Sequence, residues 1–452
     1  MHAVLYQYDV YPKVFLGDTQ QTITIQPYGG RESFVAGKTY CLRIYKVNQS
    51  NPRVYPERGG RSEVSVVPDA DGCLRFTAYF EGEGEHFINV HDDPAEKPRC
   101  VLSVYSLAED MKGRIPLRGD LHMHTCRSDG REAPEIVAAN YRGHGYDFTV
   151  ISDHKRYYPS LEAKAIFDEI SDLNIVPGEE IHLPLNDVHY VNFGGTFSVN
   201  ALVTPSRNQE KNGDDLAWRS LNGNAPTPMT EEEFIAMIEE RAKKVPREHR
   251  SERLSFAVME WIHEQVRAAD GLGIFPHPYW LCQMMQLPED YTEFIYEKAP
   301  FDAFEVLGGE NIYSHNGFQT GFYYEMKAKG IDHPIVGSTD SHGSTEHNRN
   351  ALICSTIVFA HENNREALIS AIKEKYSVAV DSISKEYRLV GDFRWIKYGS
   401  FLMEHYFPLH DLACEAEGYY MNRYLAGDPR AEVVLRSMKG QISEMQKKYF
   451  NL

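Results

Sequence analysis

From about residue 116, short apolar segments alternate with segments of helical periodicity. The apolar segments are rich in β-branched and aromatic residues and read DFTVIS, NIVPG, VHYVNFG, GIFPH, AFEVLG, PIVGST and ICSTIVFA. Helical periodicity is strongest over residues 134–145, 230–245 and 251–271. Such alternation is typical of βα units, so it predicts an α/β fold with a parallel sheet or a barrel over residues 116–385.

Local signals predict where several helices begin. Thr230 and Glu233 have capping-box spacing, and Pro246 follows the segment that they open. Asn363 and Glu366 are expected to cap a helix over REALISAIKEKY. The segment RAEVVLRSMKGQISEMQKKYF predicts one amphipathic helix, within a C-terminal helical extension over residues 386–452.

Residues 1–115 have a different pattern. Short β-branched or aromatic runs, such as CLRFTAYF, HFINVHD and CVLSVYSL, are separated by Gly, Asp, Asn or Pro. This spacing predicts a small antiparallel, immunoglobulin-like sandwich, an accessory domain for packing or docking. Residues 204–253 interrupt the later alternation with polar sequence, which we interpret as an insertion, either a lid or surface decoration.

Composition narrows the functional classes. The chain has 452 residues and a net charge of −18, which disfavours attraction to long nucleic acid, although bound divalent ions would change the local sign. No apolar run approaches the roughly 20 residues that cross a bilayer, and no signal peptide is recognised. The seven cysteines form no C-x-x-C pair. We therefore expect a cytoplasmic protein with free thiols and no membrane partner.

Histidines and carboxylates recur where the predicted strands end. The segment RGDLHMHTCRSDG contains two histidines one residue apart, and TVISDH, NIVPGEE, HYVNFGG, GIFPHP, FEVLGG and VGSTDSH contain the others. Residues i and i+2 of a strand point to the same face, and strand ends meet at one mouth of a parallel barrel. Imidazole with carboxylate suits Zn²⁺, Mn²⁺ or Fe²⁺, and these ligands exceed what one tetrahedral ion needs.

The order of these motifs resembles the polymerase and histidinol phosphatase (PHP) family of metal-dependent phosphoesterases. The series is DLHMHT…SDG, SDH, PGEEI, the histidine before YVNFGG, FPHP, FEV and GSTDSHG, over residues 117–380. It does not include the N-terminal sandwich, the insertion or the tail. The resemblance implies a distorted (βα)7, TIM-like barrel with two or three divalent metal ions at its mouth.

The resemblance also implies a role for each candidate ligand. His122, His124 and Asp340 would bind a first ion, and Glu180 would bridge it to a second that is completed by His189 and His277. A third ion would be bound by Asp129, His154 and His342. Many family members have histidine where this chain has Asp129.

Neighbouring residues leave alternatives open. Glu179 competes with Glu180 for the bridging position, and we choose Glu180 because Ile181 follows it in the family manner. Glu305 has an open ligand role, whereas Asp120 and Asp153 are expected to orient histidines. Cys126 is interpreted as a neighbour only. Histidines without motif support are expected to have surface or packing roles: His182, His263, His315, His333 and His347.

These features predict a hydrolase for a phosphomonoester or small phosphodiester, acting through a metal-activated water. No P-loop or G-x-S-x-G motif is present. His154 or His342 would protonate the leaving group. Arg127, Lys155 and Arg156 flank ligands and would hold the phosphate, or would be solvated loop charges. The alternatives are a metal-dependent amidohydrolase, for which no suitable strand-end lysine stands out, and a metal-binding scaffold for protein or glycan interaction.

Overall fold

The structure is a computed structural model that describes residues 7–28, 33–48, 60–204, 220–282, 284–308, 313–345, 354–382 and 388–452. It has the mixed α/β character that the sequence predicts. Two compact units are present. The first contains the described residues of Met1–Ile115, Phe393–Ala413 and Gly440–Leu452, and the second contains those of Pro116–Asp392 and Cys414–Lys439.

Among its described residues, the first unit contains eight strands before residue 108. They are β1 (Tyr8–Tyr11), β2 (Val14–Leu16), β3 (Thr19–Pro27), β4 (Tyr40–Lys46), β5 (Arg61–Val66), β6 (Leu74–Phe80), β7 (Gly84–His91) and β8 (Cys100–Leu107). Buried and exposed residues alternate strictly along β6, as expected for a sheet with one face in a core. The predicted short strands are thus found where the sequence places them.

The strands that follow are short, and several end at candidate ligands. They are β9 (Ile115–Asp120), β10 (Phe148–Val150), β11 (Asn174–Val176), β12 (Gly178–Ile181), β13 (Tyr190–Phe193), β14 (Val203–Thr204), β15 (Met229–Thr230), β16 (Leu272–Phe275), β17 (Leu281–Cys282), β18 (Met284–Met285), β19 (Ala303–Leu307), β20 (Ile335–Gly337), β21 (Cys354–Ala360), β22 (Ser377–Asp381) and β23 (Arg388–Val390).

Helices separate many of these strands. They are α1 (Pro134–Gly143), α2 (Tyr158–Phe167), α3 (Glu231–Ala242), α4 (Arg250–Ala268), α5 (Glu289–Lys298), α6 (Tyr313–Ala328) and α7 (Arg365–Lys373). The chain ends with α8 (Phe393–His405), α9 (Phe407–Leu425), α10 (Ala431–Met438), α11 (Gln441–Tyr449) and a last strand, β24 (Phe450–Asn451). No helix among the described residues is both long and apolar enough to cross a membrane.

In the first unit, two sheets share one core. One sheet has the order β1-β3-β6, and the other has the order β24-β2-β8-β7-β4-β5. Phe15, Leu42, Leu74 and Ile88 contribute buried side chains from both sheets. The expectation of purely antiparallel pairing is wrong at β2, which pairs in parallel with both β8 and β24. A tight hairpin forces two strands to pair antiparallel. No such hairpin joins β2 to β8 or β24, so parallel pairing is possible there.

In the second unit, the strands form two larger mixed sheets. Their orders are β11-β10-β9-β21-β22-β23 and β12-β13-β16-β19-β20. Parallel pairs join β9 to β10, β10 to β11, β16 to β19 and β19 to β20, but β13 is antiparallel to β12 and β16. The link from β12 to β13 is too short for a helical crossover, so the expectation of a parallel arrangement fails there.

Two isolated parallel bridges connect strand ends of these sheets. Met123 pairs with Ser341, and His154 pairs with Glu180. Backbone hydrogen bonds extend both contacts, from His124 N to Ser341 O at 2.8 Å and from Glu180 N to Ser152 O at 2.9 Å. The bridges bring together strand ends whose next residues carry imidazole and carboxylate groups.

Several local predictions can be compared with the structure. Thr230 and Glu233 form the predicted capping box of α3. The predicted cap Asn363 is wrong, because Asn364 accepts the hydrogen bond from Ala367 N, and the side chain of Asn363 donates to Asp147 O instead. The predicted single C-terminal helix is also wrong. Gly440 has φ +89°, a left-handed conformation that separates α10 from α11.

No disulfide joins the cysteines whose side chains the structure describes, which are Cys41, Cys73, Cys100, Cys126, Cys354 and Cys414. Much of the proposed insertion, residues 205–219, lies outside the described residues, and so does His347. The lid interpretation therefore remains a prediction, as do the domain boundaries at residues 115 and 385.

Candidate metal centre

All nine predicted ligands are brought to one place by the ends of β9, β10, β12, β16 and β20 and by adjoining loops. They are His122, His124, Asp129, His154, Glu180, His189, His277, Asp340 and His342. The loop after His124 turns back sharply, with Gly130 N donating to Thr125 O at 2.9 Å. A Cβ on Gly130 would come within 2.6 Å of the His124 carbonyl, so this turn requires glycine.

The carboxylate of Glu180 lies at the centre of the cluster and is fully buried. Its Oε1 lies 2.7 Å from His189 Nδ1 and 3.6 Å from His277 Nε2. Its Oε2 lies 3.4 Å from His122 Nε2 and 3.5 Å from His124 Nε2. The two oxygens of one carboxylate therefore face two sets of imidazoles, which is the geometry of a bridging ligand.

Asp340 faces the same imidazoles from the end of β20. Its Oδ1 lies 2.8 Å from His124 Nε2 and 3.3 Å from His122 Nε2, and its Oδ2 lies 3.8 Å from His277 Nε2. Asp340 and His277 have φ values of 50° and 26°, which are rare for residues other than glycine. Backbone strain of this kind concentrates at functional sites, where the surrounding structure maintains it.

A second, more exposed group lies around Asp129. Its Oδ2 is 3.4 Å from His154 Nε2 and 3.4 Å from His342 Nε2. The side chain of Asp129 is 54% exposed and that of His154 25%, whereas the side chains of His122 and Glu180 are fully buried. His154 also connects the two groups, because its Nδ1 lies 2.6 Å from Glu180 Oε2.

The two successive glutamates of β12 point to opposite sides. Glu179 accepts hydrogen bonds from Asn192, Ser198, Asn200 and Val199 N, away from the histidines. Glu180 faces the histidines. This separation follows from the period of two along a strand. The sequence leaves the choice between these two carboxylates to the family resemblance. In the structure, the two differ in the side of the strand that they face.

Carboxylates outside the predicted ligand set support the cluster. Asp120 accepts from the backbone of His122 and from Thr339, and Asp153 accepts from Thr125 and Ser128. Both carboxylates fix loop backbone and hydroxyl groups, and Asp120 does so at His122 itself, whose backbone N donates to it at 3.2 Å. That they orient histidines stays a prediction. Glu305 contacts a ring, with its Oε2 3.1 Å from His122 Nδ1.

One residue of the cluster escaped the sequence analysis. His182 Nε2 lies 3.7 Å from Glu180 Oε2, and its ring centroid is 4.6 Å from that of His154 and 4.4 Å from that of His189. The expected surface or packing role is therefore wrong for His182. Its position two residues after Glu180, directly beyond the end of β12, is the signal that was available.

Other histidines without motif support have different surroundings. The ring of His263 is 2.9 Å from the Tyr190 hydroxyl, and that of His333 is 2.9 Å from Tyr296 O, as expected for packing roles. His315 is fully buried, with its ring centroid 6.5 Å from that of His277.

The three predicted phosphate-binding cations have unequal surroundings. Arg127 is paired with Glu162, with its Nε 3.0 Å from Oε2 of that residue. Arg156 is half-buried beside Asp153, to whose carbonyl its backbone N donates. Lys155 is exposed, has φ 60° and donates its backbone N–H to Glu180 O at 2.9 Å. Of the three, Lys155 combines an exposed ammonium with a backbone position fixed against the cluster.

The charges of the cluster shift its pKa values strongly. Burial lowers the pKa of His154, but Glu180 and Asp129 outweigh burial and raise it to about 10. Burial raises the pKa of Asp129, but His154 and His342 outweigh it, and the pKa falls well below its usual range. For His124 burial prevails over Asp340 and Glu180, and the pKa falls to about 4. The carboxylates are thus held ionised among mostly buried groups.

The donor atoms suit divalent cations. Buried atoms of the described residues that lack a well-aligned hydrogen bond include His122 Nε2, His124 Nδ1, His154 Nδ1, both Glu180 oxygens, His182 Nε2, His189 Nδ1 and His277 Nδ1. Buried polar atoms are normally satisfied, and an ion would satisfy these. Imidazole nitrogen with carboxylate oxygen is the donor set of Zn²⁺, Mn²⁺ and Fe²⁺.

Four groups of donors in this cluster have atoms within 4.8 Å of one another: His124, Asp129, His154 and His342; His122, Glu180 and His277; His122, His124 and Asp340; and His154, Glu180 and His182. The first and third contain the sets predicted for the third and first ions. The predicted second set differs, because His189 belongs to none of these groups and His122 joins Glu180 and His277. Divalent metals are therefore indicated.

Comparison with known proteins gives remote structural likenesses. No protein-family model and no curated protein matches the chain. A two-domain Bacteroides vulgatus protein, described as containing a predicted PHP-like metal-dependent phosphoesterase, is 14% identical, with 59% of this chain and 65% of that chain covered and a TM-score of 0.37. The chain thus spans less than two thirds of that protein.

Two further solved structures match shorter parts of the chain. A Bifidobacterium adolescentis protein, described as a candidate metal-dependent phosphoesterase, is 19% identical, with coverage of 51% and 89% and a TM-score of 0.32. A Chromobacterium violaceum amidohydrolase with bound sulfate is 14% identical, with coverage of 51% and 89% and a TM-score of 0.30. PHP-like metal-dependent phosphoesterases are thus among the solved structures that this chain resembles, as its motif series predicts.

Proposed function

We propose that the chain is a metal-dependent hydrolase of small phosphate esters, either phosphomonoesters or small phosphodiesters. The observation that carries the proposal is the buried carboxylate of Glu180, whose two oxygens face separate sets of histidines. Two or three Zn²⁺, Mn²⁺ or Fe²⁺ ions would fit these donors. When bound, such ions supply Lewis acidity toward phosphate oxygens and lower the pKa of a water nucleophile.

The ligand residues have three positions in this proposal. His122, His124 and Asp340 would hold one ion, Glu180 would be shared with a second, and His189 and His277 would complete that second position. Asp129, His154 and His342 form the exposed third position. His154 and His342 each face Asp129 through Nε2, so either can hold a proton at the side of the cluster that solvent reaches.

Phosphate recognition is assigned to groups at that exposed side. Lys155 is exposed and directly follows His154, a member of the cluster. We propose that it contacts a phosphate oxygen, with Arg156 beside it. Arg127 has a lesser share, because its guanidinium already pairs with Glu162.

The proposed fold class fits this arrangement. The isolated bridges Met123–Ser341 and His154–Glu180 lie where β9 would meet β20 and β10 would meet β12. We propose that β9, β10, β11 with β12, β13, β16, β19 and β20 build a distorted (βα)7 barrel within residues 116–385, with β11 and β12 as successive parts of one strand, since only Pro177 separates them. Residues 1–115 would be an immunoglobulin-like accessory domain, and residues 386–452 a helical extension.

Metal analysis and a substrate panel test the function. The purified protein, reconstituted separately with Zn²⁺, Mn²⁺ or Fe²⁺, is assayed with p-nitrophenyl phosphate, its bis ester and an amide panel. We expect more than one ion per chain and release of p-nitrophenol from at least one ester. His122→Ala should abolish turnover, whereas His263→Ala, whose ring contacts Tyr190 outside the cluster, should retain it.

The other outcomes identify the alternatives. Hydrolysis of amides without hydrolysis of either ester would identify an amidohydrolase. A binding scaffold would be favoured if the wild-type protein has its full metal content but turns over none of the compounds, and if His122→Ala does not change this lack of activity.

A further inference from the structure

One side of the metal centre carries an aromatic side chain that the proposed chemistry does not use. Trp280 lies three residues after His277, and its backbone N donates to His277 O at 3.0 Å. This turn brings the indole back over the cluster. Its ring centroid lies 5.9 Å from that of His277 and 6.0 Å from that of His189.

The indole does not lie flat against either neighbouring imidazole. The indole plane makes angles of 66° with the ring of His277 and 49° with the ring of His189, so neither imidazole stacks on it. Trp280 is half-buried, although His277 beside it is buried. Within the described part of the chain, its indole N–H has no hydrogen-bond partner.

The preceding residue, Tyr279, is also aromatic but packs away from the cluster. Its ring is buried and lies 6.2 Å from that of Phe318 and 5.5 Å from that of Phe322. Trp280 is thus an aromatic neighbour of His189 and His277, whereas the more exposed group around Asp129 and His154 is charged.

From this asymmetry we propose that Trp280 selects phosphate esters in which a planar aromatic or heteroaromatic ring lies close to the phosphate. The proposal rests on the proposed function, since the metal centre binds the phosphate while Trp280 contacts the ring. An indole face stacks on planar rings and gains more from them than from saturated groups of the same size. Trp280 is thus a specificity residue.

Non-hydrolysable phosphonates test the ring preference without chemistry. Calorimetry on the metal-loaded protein measures the dissociation constants of phenylphosphonate, cyclohexylphosphonate and methylphosphonate. We expect phenylphosphonate to bind about tenfold more tightly than cyclohexylphosphonate, in line with base–aromatic stacking. Trp280→Leu should remove that preference and leave methylphosphonate binding unchanged. Trp280→Phe should restore part of the preference.

Each outcome has a separate meaning. If none of the three phosphonates binds, the proposed function itself fails, because the centre does not recognise the phosphoryl group. If all three bind and the wild-type protein does not distinguish phenyl from cyclohexyl, the Trp280 proposal is wrong while the proposed function stands. If Trp280→Leu weakens all three phosphonates equally or lowers the metal content, Trp280 supports the ligands His189 and His277, and the proposal is overturned.

Discussion

Two buried or half-buried histidines, one in each unit of the molecule, have opposite protonation behaviour. His86, in β7 of the first unit, is buried, lies 2.9 Å from the Ser106 hydroxyl, and has its pKa lowered to about 4 by burial and by Lys46. His154, in the metal centre, has its pKa raised to about 10, because Glu180 and Asp129 outweigh the effect of burial. Burial alone keeps an imidazole neutral, and only concentrated carboxylates reverse this.

The difference shows what kind of site the second unit contains. A sheet that needs a histidine only for packing accommodates it with one hydroxyl partner. The metal centre instead collects several ionised carboxylates among buried imidazoles, an arrangement that strongly favours added positive charge. In the absence of metal, protons supply that charge. With metal, ions would replace them, and the following experiments test this exchange.

The largest effect is expected at Glu180, the centre of the cluster. Glu180→Gln removes the charge that faces both sets of histidines, and glutamine is a poor bridging ligand. We expect the loss of at least one ion per chain, measured by elemental analysis. Phosphate ester hydrolysis should fall at least about a thousandfold, because metal-ion stabilisation of a transition state is worth several kcal/mol.

Glu179→Gln is the matched control for this change. Glu179 is the preceding residue and equally buried, but it bonds to Asn192, Ser198 and Asn200. This variant should keep its full metal content even if its unfolding midpoint shifts. Equal metal loss in both variants would contradict the central role of Glu180.

A smaller effect is expected at the exposed group. Asp129→Asn removes the charge that faces His154, His342 and, at 3.9 Å, His124 Nδ1, and it leaves the carboxylates of Glu180 and Asp340 in place. We expect one ion fewer per chain and a decrease in turnover of roughly 10–100-fold, the range for weakening a metal site without dismantling it. Asp168→Asn, an exposed aspartate paired with Lys164, is the control. Complete metal loss in Asp129→Asn would show that the two groups are not separable.

The sequence was sufficient for the parts of the centre that depend on strand periodicity. His122 and His124, which share one face by their spacing, both lie beside Asp340. Asp340 and His342 have the same spacing, but His342 faces Asp129 in the exposed group. Contacts formed across the fold were harder to predict. Glu305 reaches His122 from another strand, and His182 belongs to the cluster without belonging to any motif. Whether a carboxylate contacts an imidazole ring depends on the positions of side chains that are far apart in the chain. The spacing of residues in one sequence does not show these positions.

The errors in the fold have similar local causes. Asn363 and Asn364 are both good helix caps, and only the backbone conformation at the start of α7 selects Asn364. The amphipathic pattern continues across Gly440, so periodicity alone predicted one helix where a left-handed glycine separates two. In both cases one backbone dihedral angle decided between patterns that the sequence allows equally.

The neutral histidine of the first unit predicts acid sensitivity of the fold. The unfolded pKa of His86 is near 6.5 and its folded pKa is about 4, so the unfolded state binds more protons between these values. The stabilisation is present above pH 6.5 and is lost as the pH falls toward 4. Between pH 6.5 and pH 4, we expect the unfolding free energy of His86→Gln to fall by about 2 kcal/mol less than that of the wild-type protein. Urea denaturation of the metal-free proteins measures this difference. An unchanged pH profile would contradict the assignment.

The protonated histidine of the metal centre predicts the smallest effect, a proton count. Because the pKa of His154 in the metal-free protein is about 10, this imidazole carries a proton at pH 7.5 and must release it when it binds an ion. Calorimetric titration of Zn²⁺ in buffers of different ionisation enthalpy measures that release. His154→Asn should release about one proton fewer per chain, whereas His263→Asn should match the wild type. Each released proton makes the apparent metal affinity fall about tenfold per unit decrease in pH over this range. If the wild-type protein binds Zn²⁺ with no net proton release, protons do not occupy the positions of the metal ions, and the contrast with His86 fails.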